Sequence, residues 1–180
     1  MAFAAWFTGL PGSGKTTIAK RTARLMERRG VHVKLLHLDE VRRFVTPEPT
    51  YTEEERETVY RALAYMAFLL TGDGCSVFVD ATANRARWRD AARGLIPHFA
   101  EVYVRCPLEV AVRRERERAP GMAPAGIYAK SGKPDGTVPG VDVSYEEPEH
   151  PEIEVDSSNE GAWELAALIA DRLAKLFPEG

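Results

Sequence analysis

Short apolar runs alternate with amphipathic segments along this chain of 180 residues. The apolar runs have the length of strands, and they predict five buried strands, at Phe3–Thr8, His32–Leu38, Cys75–Asp80, Glu101–Arg105 and Glu152–Val155. Segments with apolar residues three and four positions apart predict five helices, near Thr16–Arg29, Thr52–Leu70, Arg85–Pro97, Leu108–Arg118 and Asn159–Phe177. Thr52 and Glu55 have the spacing of a capping box at the start of the second helix.

The alternation of strands and helices predicts the fold class. It is typical of α/β domains in which helices cover both faces of a parallel sheet and ligands bind at the carboxyl ends of the strands. A chain of this length most simply forms one domain. We therefore expect a single domain over residues 1–180, built on a five-stranded parallel sheet.

One stretch, residues 119–150, breaks this alternation. It contains scattered Pro and Gly residues and shows no clear hydrophobic period. A loop of this length in a compact domain is either a functional lid or disordered. Because the stretch follows the arginine-rich end of a predicted helix, we interpret residues 113–150 as a mobile lid and acceptor loop.

An octapeptide directly after the first strand matches the phosphate-loop pattern G-x-x-x-x-G-K-[ST]; it is Gly9-Leu10-Pro11-Gly12-Ser13-Gly14-Lys15-Thr16. Its glycines let the backbone approach a polyphosphate, and the N–H groups of the loop and following helix point at the phosphates. Lys15 supplies positive charge to the β- and γ-phosphates, and the Thr16 hydroxyl can ligate Mg²⁺. The loop and the adjoining Thr17 predict an ATP and Mg²⁺ site in a P-loop NTPase-type, three-layer fold. The alternative is a glycine-rich turn without a ligand.

Two aspartates come at the carboxyl ends of predicted strands. Asp39 follows the second strand, where it could accept the proton of an acceptor hydroxyl or hold Mg²⁺ through water. Arg42, about one helical turn later, could bind an anionic acceptor. Asp80 ends the third strand, a position typical of the acidic residue that completes Mg²⁺ coordination in P-loop enzymes. The alternative for Asp39 and Arg42 is a helix cap beside a solvated arginine.

The end of the fourth predicted helix is rich in arginine. Its charge pairs three and four residues apart would by themselves stabilise an exposed helix. Arginines from a lid also commonly stabilise the negative charge on a phosphoryl group during its transfer. We expect Arg114 and Arg118 to contact the nucleotide, and Tyr128 and Lys130 beyond them to contact the acceptor.

Composition and charge narrow the classes of function. The formal net charge is −3, so no overall positive field favours nucleic-acid binding. The longest apolar stretch, Ala62–Leu70, is too short to cross a bilayer, and residues 1–10 lack the basic start of a signal peptide. Cys75 and Cys106 have no metal-binding spacing and indicate reduced thiols. We expect a cytoplasmic protein that binds small molecules rather than nucleic acid or membrane.

With these residues in view, the chain resembles the adenylylsulfate (APS) kinase family over nearly its whole length. The resemblance lies in a series of ordered segments, which are Trp6–Thr17 with the phosphate loop, His37–Arg42, Tyr51–Arg56, Glu101–Val110, Gly126–Ser131 and Gly140–Pro148. It implies that the γ-phosphoryl group of MgATP is transferred to the 3′-hydroxyl of APS, giving PAPS and ADP in sulfate activation. It also implies a homodimer.

The resemblance further implies roles for individual residues. Asp39 matches the catalytic aspartate of the family, and Arg42, Arg56 and Lys130 match acceptor-binding positions. Tyr51 takes the place of an aromatic residue that stacks on the adenine of APS, a contact that a tyrosine can make.

The departures from the family pattern concentrate on the acceptor side. Thr82 stands at the position of a serine that can be phosphorylated, and His37 replaces the first aspartate of an Asp-Gly-Asp segment. Val59 replaces an expected asparagine, and Val138 replaces a second aromatic that would stack on the acceptor adenine. Two alternatives to APS kinase activity therefore stay open. The first is a related kinase of another small anionic hydroxyl compound, such as a nucleotide or sugar derivative, and the second is a nucleotide-binding regulatory module.

Overall fold

The structure, a computed structural model, describes residues 1–118, 126–132 and 136–178. Residues 119–125 and 133–135 of the predicted lid lie outside the described residues. The described flanks of the lid are an end of a helix, a short turn and a loop that returns to the sheet.

Five strands and six helices make up the described part of the chain. The strands are β1 (Ala4–Thr8), β2 (Val33–His37), β3 (Ser76–Asp80), β4 (Phe99–Arg105) and β5 (Ile153–Asp156). The helices are α1 (Lys15–Arg28), α2 (Leu38–Val45), α3 (Glu53–Gly72), α4 (Ala86–Leu95), α5 (Leu108–Glu117) and α6 (Ala162–Leu176), with a 3₁₀ turn at Tyr128–Lys130. None of the described helices is both long enough and apolar enough to span a membrane.

The strands form one parallel sheet in the order β2-β3-β1-β4-β5. The central strand β1 is buried along its whole length, as expected of a strand covered on both faces. Phe7 packs with α1 and α6 on one face, whereas Trp6 packs with α3 and α4 on the other. The predicted fold class, a parallel sheet between two layers of helices, is confirmed.

Helix α2 is an element that the hydrophobic pattern does not predict. Leu38, Val41 and Val45 have helical spacing, but the helix has only eight residues. A window of about 11–18 residues is needed before a helical period can be recognised. The strand predicted at residues 32–38 ends one residue too late, because Leu38 is already the first residue of α2. This helix begins directly at the edge of the sheet.

Candidate active site

The phosphate loop connects β1 to α1, and its glycines are needed where they stand. Gly9, Gly12 and Gly14 have φ angles of 149°, 81° and 92°. A Cβ atom on Gly9 would lie 2.4 Å from the Val104 carbonyl oxygen, and a Cβ atom on Gly12 would lie 2.2 Å from the carbonyl oxygen of Ala111. The path of the loop over β4 and α5 therefore depends on residues without a side chain.

Lys15 begins α1 and is buried beside the loop. Its Nζ donates a hydrogen bond to the Leu10 carbonyl oxygen at 3.0 Å. Burial lowers the pKa of Lys15, while the carboxylates of Asp80 and Asp39 act in the opposite direction. No side chain in the described part of the chain caps the first turn of α1. The first N–H groups of this helix are therefore available to an anion such as a phosphate.

Asp80, at the end of β3, lies next to this helix start. Burial acts to raise its pKa, but hydrogen bonds from His37 and Thr16 and the charge of Lys15 outweigh burial and lower the pKa. An ionised carboxylate and a hydroxyl group thus lie together where the triphosphate of a nucleotide would bind. These are the oxygen ligands that Mg²⁺ prefers, so Thr16 and Asp80 fit the predicted metal site.

Asp39 is the second residue of α2, just beyond the end of β2. Its pKa is raised by burial and by the neighbouring carboxylate of Asp80, while Lys15, Arg42 and Arg118 act to lower it. A carboxylate with a raised pKa is a stronger base. The helix that the pattern did not predict is therefore the element that brings Asp39 to Lys15.

Arg42 and Tyr51 form the next part of the site. Arg42 is buried, forms an ion pair with Glu55 at 2.8 Å, and lies with its guanidinium carbon 5.1 Å from the centre of the Tyr51 ring. Tyr51 has a φ of 58°, which is uncommon for a residue other than glycine.

The predicted capping box at the start of α3 is only half formed. Thr52 Oγ1 accepts a hydrogen bond from the Glu55 N–H at 3.3 Å, as predicted. The Glu55 carboxylate does not return the bond to Thr52, because it accepts from the N–H groups of Thr50 and Tyr51 instead. Glu55 thereby holds the unusual backbone of Tyr51 in place.

Arg56 joins α3 to two other segments. Its Nε donates to the Tyr51 carbonyl oxygen at 3.1 Å, its Nη1 to Asn84 Oδ1 at 3.2 Å, and its Nη2 to the Thr137 carbonyl oxygen at 2.7 Å. Asn84 in turn donates to the Ser144 carbonyl oxygen at 3.0 Å. Arg56 therefore lies in the predicted acceptor region, where it holds the backbone of Tyr51 and the loop before Val138.

Thr82 lies on the segment that leaves β3. The Thr8 hydroxyl donates to the Thr82 carbonyl oxygen at 2.6 Å. The following residue, Ala83, has a φ of 42°, and its N–H donates to the Tyr60 hydroxyl at 3.0 Å while its carbonyl oxygen accepts from Arg89. Tyr60 and Arg89 are buried residues in the middle of helices and belong to no motif. For this reason the sequence gives no signal that they support the acceptor segment.

Arg114 lies on α5 and reaches the turn that follows β5. Its Nη2 donates to the Ser157 carbonyl oxygen at 2.7 Å. The Ser157 hydroxyl donates to the Ser13 carbonyl oxygen at 2.8 Å, and the Ser157 N–H donates to the Arg105 carbonyl oxygen at 2.9 Å. Arg114, which we predicted to bind the nucleotide, therefore reaches the phosphate loop indirectly, through Ser157.

Arg118 follows the last turn of α5. It pairs with Glu115 at 3.6 Å, and its charge acts on both Lys15 and Asp39. The arginine predicted to contact the nucleotide is thus near Lys15 and Asp39.

The described lid segment 126–132 contacts the phosphate loop. The Tyr128 hydroxyl donates to the Pro11 carbonyl oxygen at 2.8 Å, and the Ile127 N–H donates to the buried carboxylate of Glu115 at 3.1 Å. The Tyr128 hydroxyl thus bonds to the phosphate loop. Lys130 at the end of this turn is exposed.

Known proteins are similar to this chain over most of its length. The model of the adenylylsulphate kinase family matches residues 1–156. A relative from Pyrococcus abyssi named "Probable adenylyl-sulfate kinase" is 39% identical over 176 residues, covering 97% of this chain and 96% of the relative. A relative of the same name from Archaeoglobus fulgidus is 40% identical over 159 residues, covering 87% of this chain and 97% of the relative.

A solved structure is also similar to nearly the whole chain. It is the APS kinase of Mycobacterium tuberculosis in complex with AMPPNP and APS, with a TM-score of 0.83 and 28% identity. The alignment covers 96% of this chain and 97% of that one. Taken with the family model and the two relatives, this shows that the chain belongs to the adenylylsulphate kinase family.

Proposed function

We propose that this protein transfers the γ-phosphoryl group of ATP to the 3′-hydroxyl of APS, giving PAPS and ADP. The main observation in favour is the position of Asp39. Its carboxylate is within electrostatic reach of Lys15 on the phosphate side and of Arg42 on the acceptor side. A base between a phosphate loop and an anion-binding arginine is the arrangement that phosphoryl transfer to a hydroxyl requires.

The phosphate loop and α1 bind the phosphates of the nucleotide. The β- and γ-phosphates bind at the uncapped N-terminus of α1, and Lys15 exchanges its bond to the Leu10 carbonyl oxygen for a phosphate oxygen. Arg114 and Arg118 approach the nucleotide from α5, the element that precedes the lid.

The magnesium ion is a proposal that depends on Thr16 and Asp80. Among the described residues, no group of three or more His, Cys, Asp or Glu side chains could hold a metal alone. A Mg²⁺ ion here would therefore take its other ligands from the phosphates and water, as is usual for this ion. When bound, it neutralises charge on the β- and γ-phosphates.

The acceptor side consists of Asp39, Arg42, Tyr51 and Lys130. Asp39 accepts the proton of the acceptor hydroxyl as that oxygen bonds to the γ-phosphorus, and the bond from this phosphorus to the β,γ-bridging oxygen breaks to release ADP. The Tyr51 ring stacks on the acceptor adenine, while Arg42 and Lys130 bind its anionic groups. Arg56 holds the backbone on which Tyr51 is placed.

A homodimer, which the family resemblance implies, and a cytoplasmic location, which the two cysteines without disulfide partners favour, remain predictions. Val138, a buried aliphatic residue where the resemblance has an aromatic, is the specific reason to keep another small anionic hydroxyl compound as the second candidate acceptor.

The test is the rate of ADP release from the purified protein with MgATP, with and without APS. We expect a slow background rate and a strong stimulation by APS. A background rate that APS leaves unchanged would contradict APS as the acceptor, and the same assay with nucleotides and sugar derivatives would then identify the second candidate.

A further inference from the structure

His37 and Asp80 end neighbouring strands and face each other across them. They are aligned partners in the parallel pairing of β2 with β3. His37 Nδ1 lies 3.1 Å from Asp80 Oδ2, and the two side chains are only 11% and 8% exposed. The contact is therefore part of the interior of the site, and it is set by the last position of two strands rather than by a mobile loop.

The direction of this hydrogen bond follows from the charge of Asp80. A carboxylate is ionised at neutral pH, and Asp80 Oδ2 lies at hydrogen-bond distance from His37 Nδ1. An ionised carboxylate only accepts hydrogen bonds, so His37 Nδ1 carries the hydrogen and donates it. This bond engages Oδ2 and restricts the rotation of the planar carboxylate about its Cβ–Cγ bond.

Asp80 also lies near Thr16, whose side chain acts with His37 to lower the pKa of Asp80. Thr16 and Asp80 are the two side chains that fit Mg²⁺ in this site. A carboxylate that ligates a metal is oriented by a second hydrogen bond from outside the metal's own ligands, and loss of such a partner weakens metal binding about 10–100-fold. His37 is in the position of that partner.

The residue type matters at this position. An aspartate, which the family pattern has here, could not donate to Asp80 while ionised, and its charge would repel that of Asp80. Asp39 already carries such a repulsion, since Asp80 raises its pKa. A histidine supplies a donor without adding a third carboxylate to the place where the triphosphate binds.

We propose that His37 is a positioning residue for Asp80, and that its Nδ1 hydrogen bond sets the affinity of the site for Mg²⁺ with nucleotide. The inference rests on the magnesium-dependent ATP site of the proposed function. It does not depend on which acceptor the enzyme uses.

The test is calorimetric binding of ADP to the full chain, in EDTA and in saturating Mg²⁺, with no acceptor present. The variants are His37→Ala, His37→Asn and His37→Gln. The side-chain amide nitrogen of asparagine can take the position of Nδ1, whereas that of glutamine reaches the position of Nε2. The two amides therefore form a matched pair that differs in where the donor lies.

We expect the gain in ADP affinity on adding Mg²⁺ to fall about tenfold in His37→Ala and His37→Gln and to be restored in His37→Asn. The affinity for ADP in EDTA should be the same in all four proteins. Equal losses with and without Mg²⁺ would mean that His37 is only structural, and an unchanged gain in His37→Ala would also overturn the proposal. If His37→Ala does not fold, the other two variants test the proposal. An equal gain in ADP affinity on adding Mg²⁺ in His37→Asn and His37→Gln would then overturn it.

Failure of the proposed function gives a different result. A wild-type protein whose ADP affinity does not respond to Mg²⁺ would overturn both the metal site and the role of His37. Failure of APS to stimulate ADP release would leave the binding experiment unaffected, because that experiment contains no acceptor.

Discussion

The carboxyl groups of Asp39 and Asp80 interact, and their pKa values are displaced in opposite directions. The pKa of Asp39 is raised by burial and by the charge of Asp80. The pKa of Asp80 is lowered despite burial, through His37, Thr16 and Lys15. Two aspartates at the ends of adjoining elements thus have different chemistry, since Asp80 stays an anion for a metal while Asp39 has the higher proton affinity of a base.

This difference predicts opposite effects of Asp39→Asn and Asp80→Asn on the free energy of unfolding at pH 7. Folding disfavours the ionised form of Asp39, so its removal should stabilise the protein. Folding favours the ionised form of Asp80, so its removal should destabilise it. Denaturant unfolding of both variants and the wild type checks the signs.

The pH dependence provides the control for this prediction. The stability that Asp80 contributes is present above its unfolded-state pKa, near 3.8, and is lost as the pH falls through its lower folded-state pKa. The destabilisation caused by ionised Asp39 disappears as the pH falls from the raised pKa of the folded state to the ordinary value of 3.8. The differences from wild type should therefore shrink in acid, and the same sign for both variants at pH 7 would contradict the argument.

A second prediction concerns the glycines of the phosphate loop. Gly12→Ala should lose both stability and ADP affinity, because its Cβ would lie 2.2 Å from the Ala111 carbonyl oxygen. The matched control is Gly30→Ala. Gly30 has a similar φ of 85°, but no atom lies within 4 Å of a Cβ built there.

Gly30→Ala should cost about 1 kcal/mol of stability, the usual penalty for a left-handed backbone with a side chain. Its ADP affinity should equal that of the wild type. Chemical denaturation and calorimetry with ADP measure both quantities, and equal effects of the two substitutions would show that the contact with α5 is unimportant.

The sequence predicts the sheet, its flanking helices and the phosphate loop, because each has a local signal. Strand runs such as residues 76–80 are short and apolar, and the loop is a pattern of fixed spacing. Asp39 is indicated by its place after the second strand, whereas Tyr51 is supplied by the resemblance to the APS kinase family, which the comparisons confirm. Local signals miss helix α2, which is too short to show a clear period, and they miss long-range contacts. The bonds from Arg56 to Asn84 and from Arg89 to the Glu146 carbonyl oxygen join segments that no spacing rule relates.

A third prediction concerns Tyr51. Tyr51→Ala should raise KM for APS about 10-fold or more and leave KM for ATP within a factor of two, because stacking of a base on an aromatic ring contributes about 1–3 kcal/mol. Tyr51→Phe, which keeps the ring, should stay close to the wild type. Steady-state kinetics with each substrate varied in turn measure this.

The control for Tyr51 is Tyr65→Ala. Tyr65 is a tyrosine of α3 that is 55% exposed and lies outside the described site, so both KM values should be unchanged. An increase in KM for ATP in Tyr51→Ala would show that this ring belongs to the nucleotide side, and equal KM values for APS in Tyr51→Ala and the wild type would exclude stacking.

The last prediction is the loss of turnover on removing Asp39. Asp39→Asn keeps the shape of the side chain but cannot accept the proton of the hydroxyl, so kcat should fall about 10²–10⁴-fold. ADP affinity should be retained, because the phosphate contacts come from the loop and α1. Glu40→Gln, the adjoining exposed carboxylate on α2, is the matched control and should keep full turnover. If Asp39→Asn keeps its turnover, Asp39 is not the base. If instead kcat and ADP affinity fall together, Asp39 acts through the nucleotide site rather than on the acceptor.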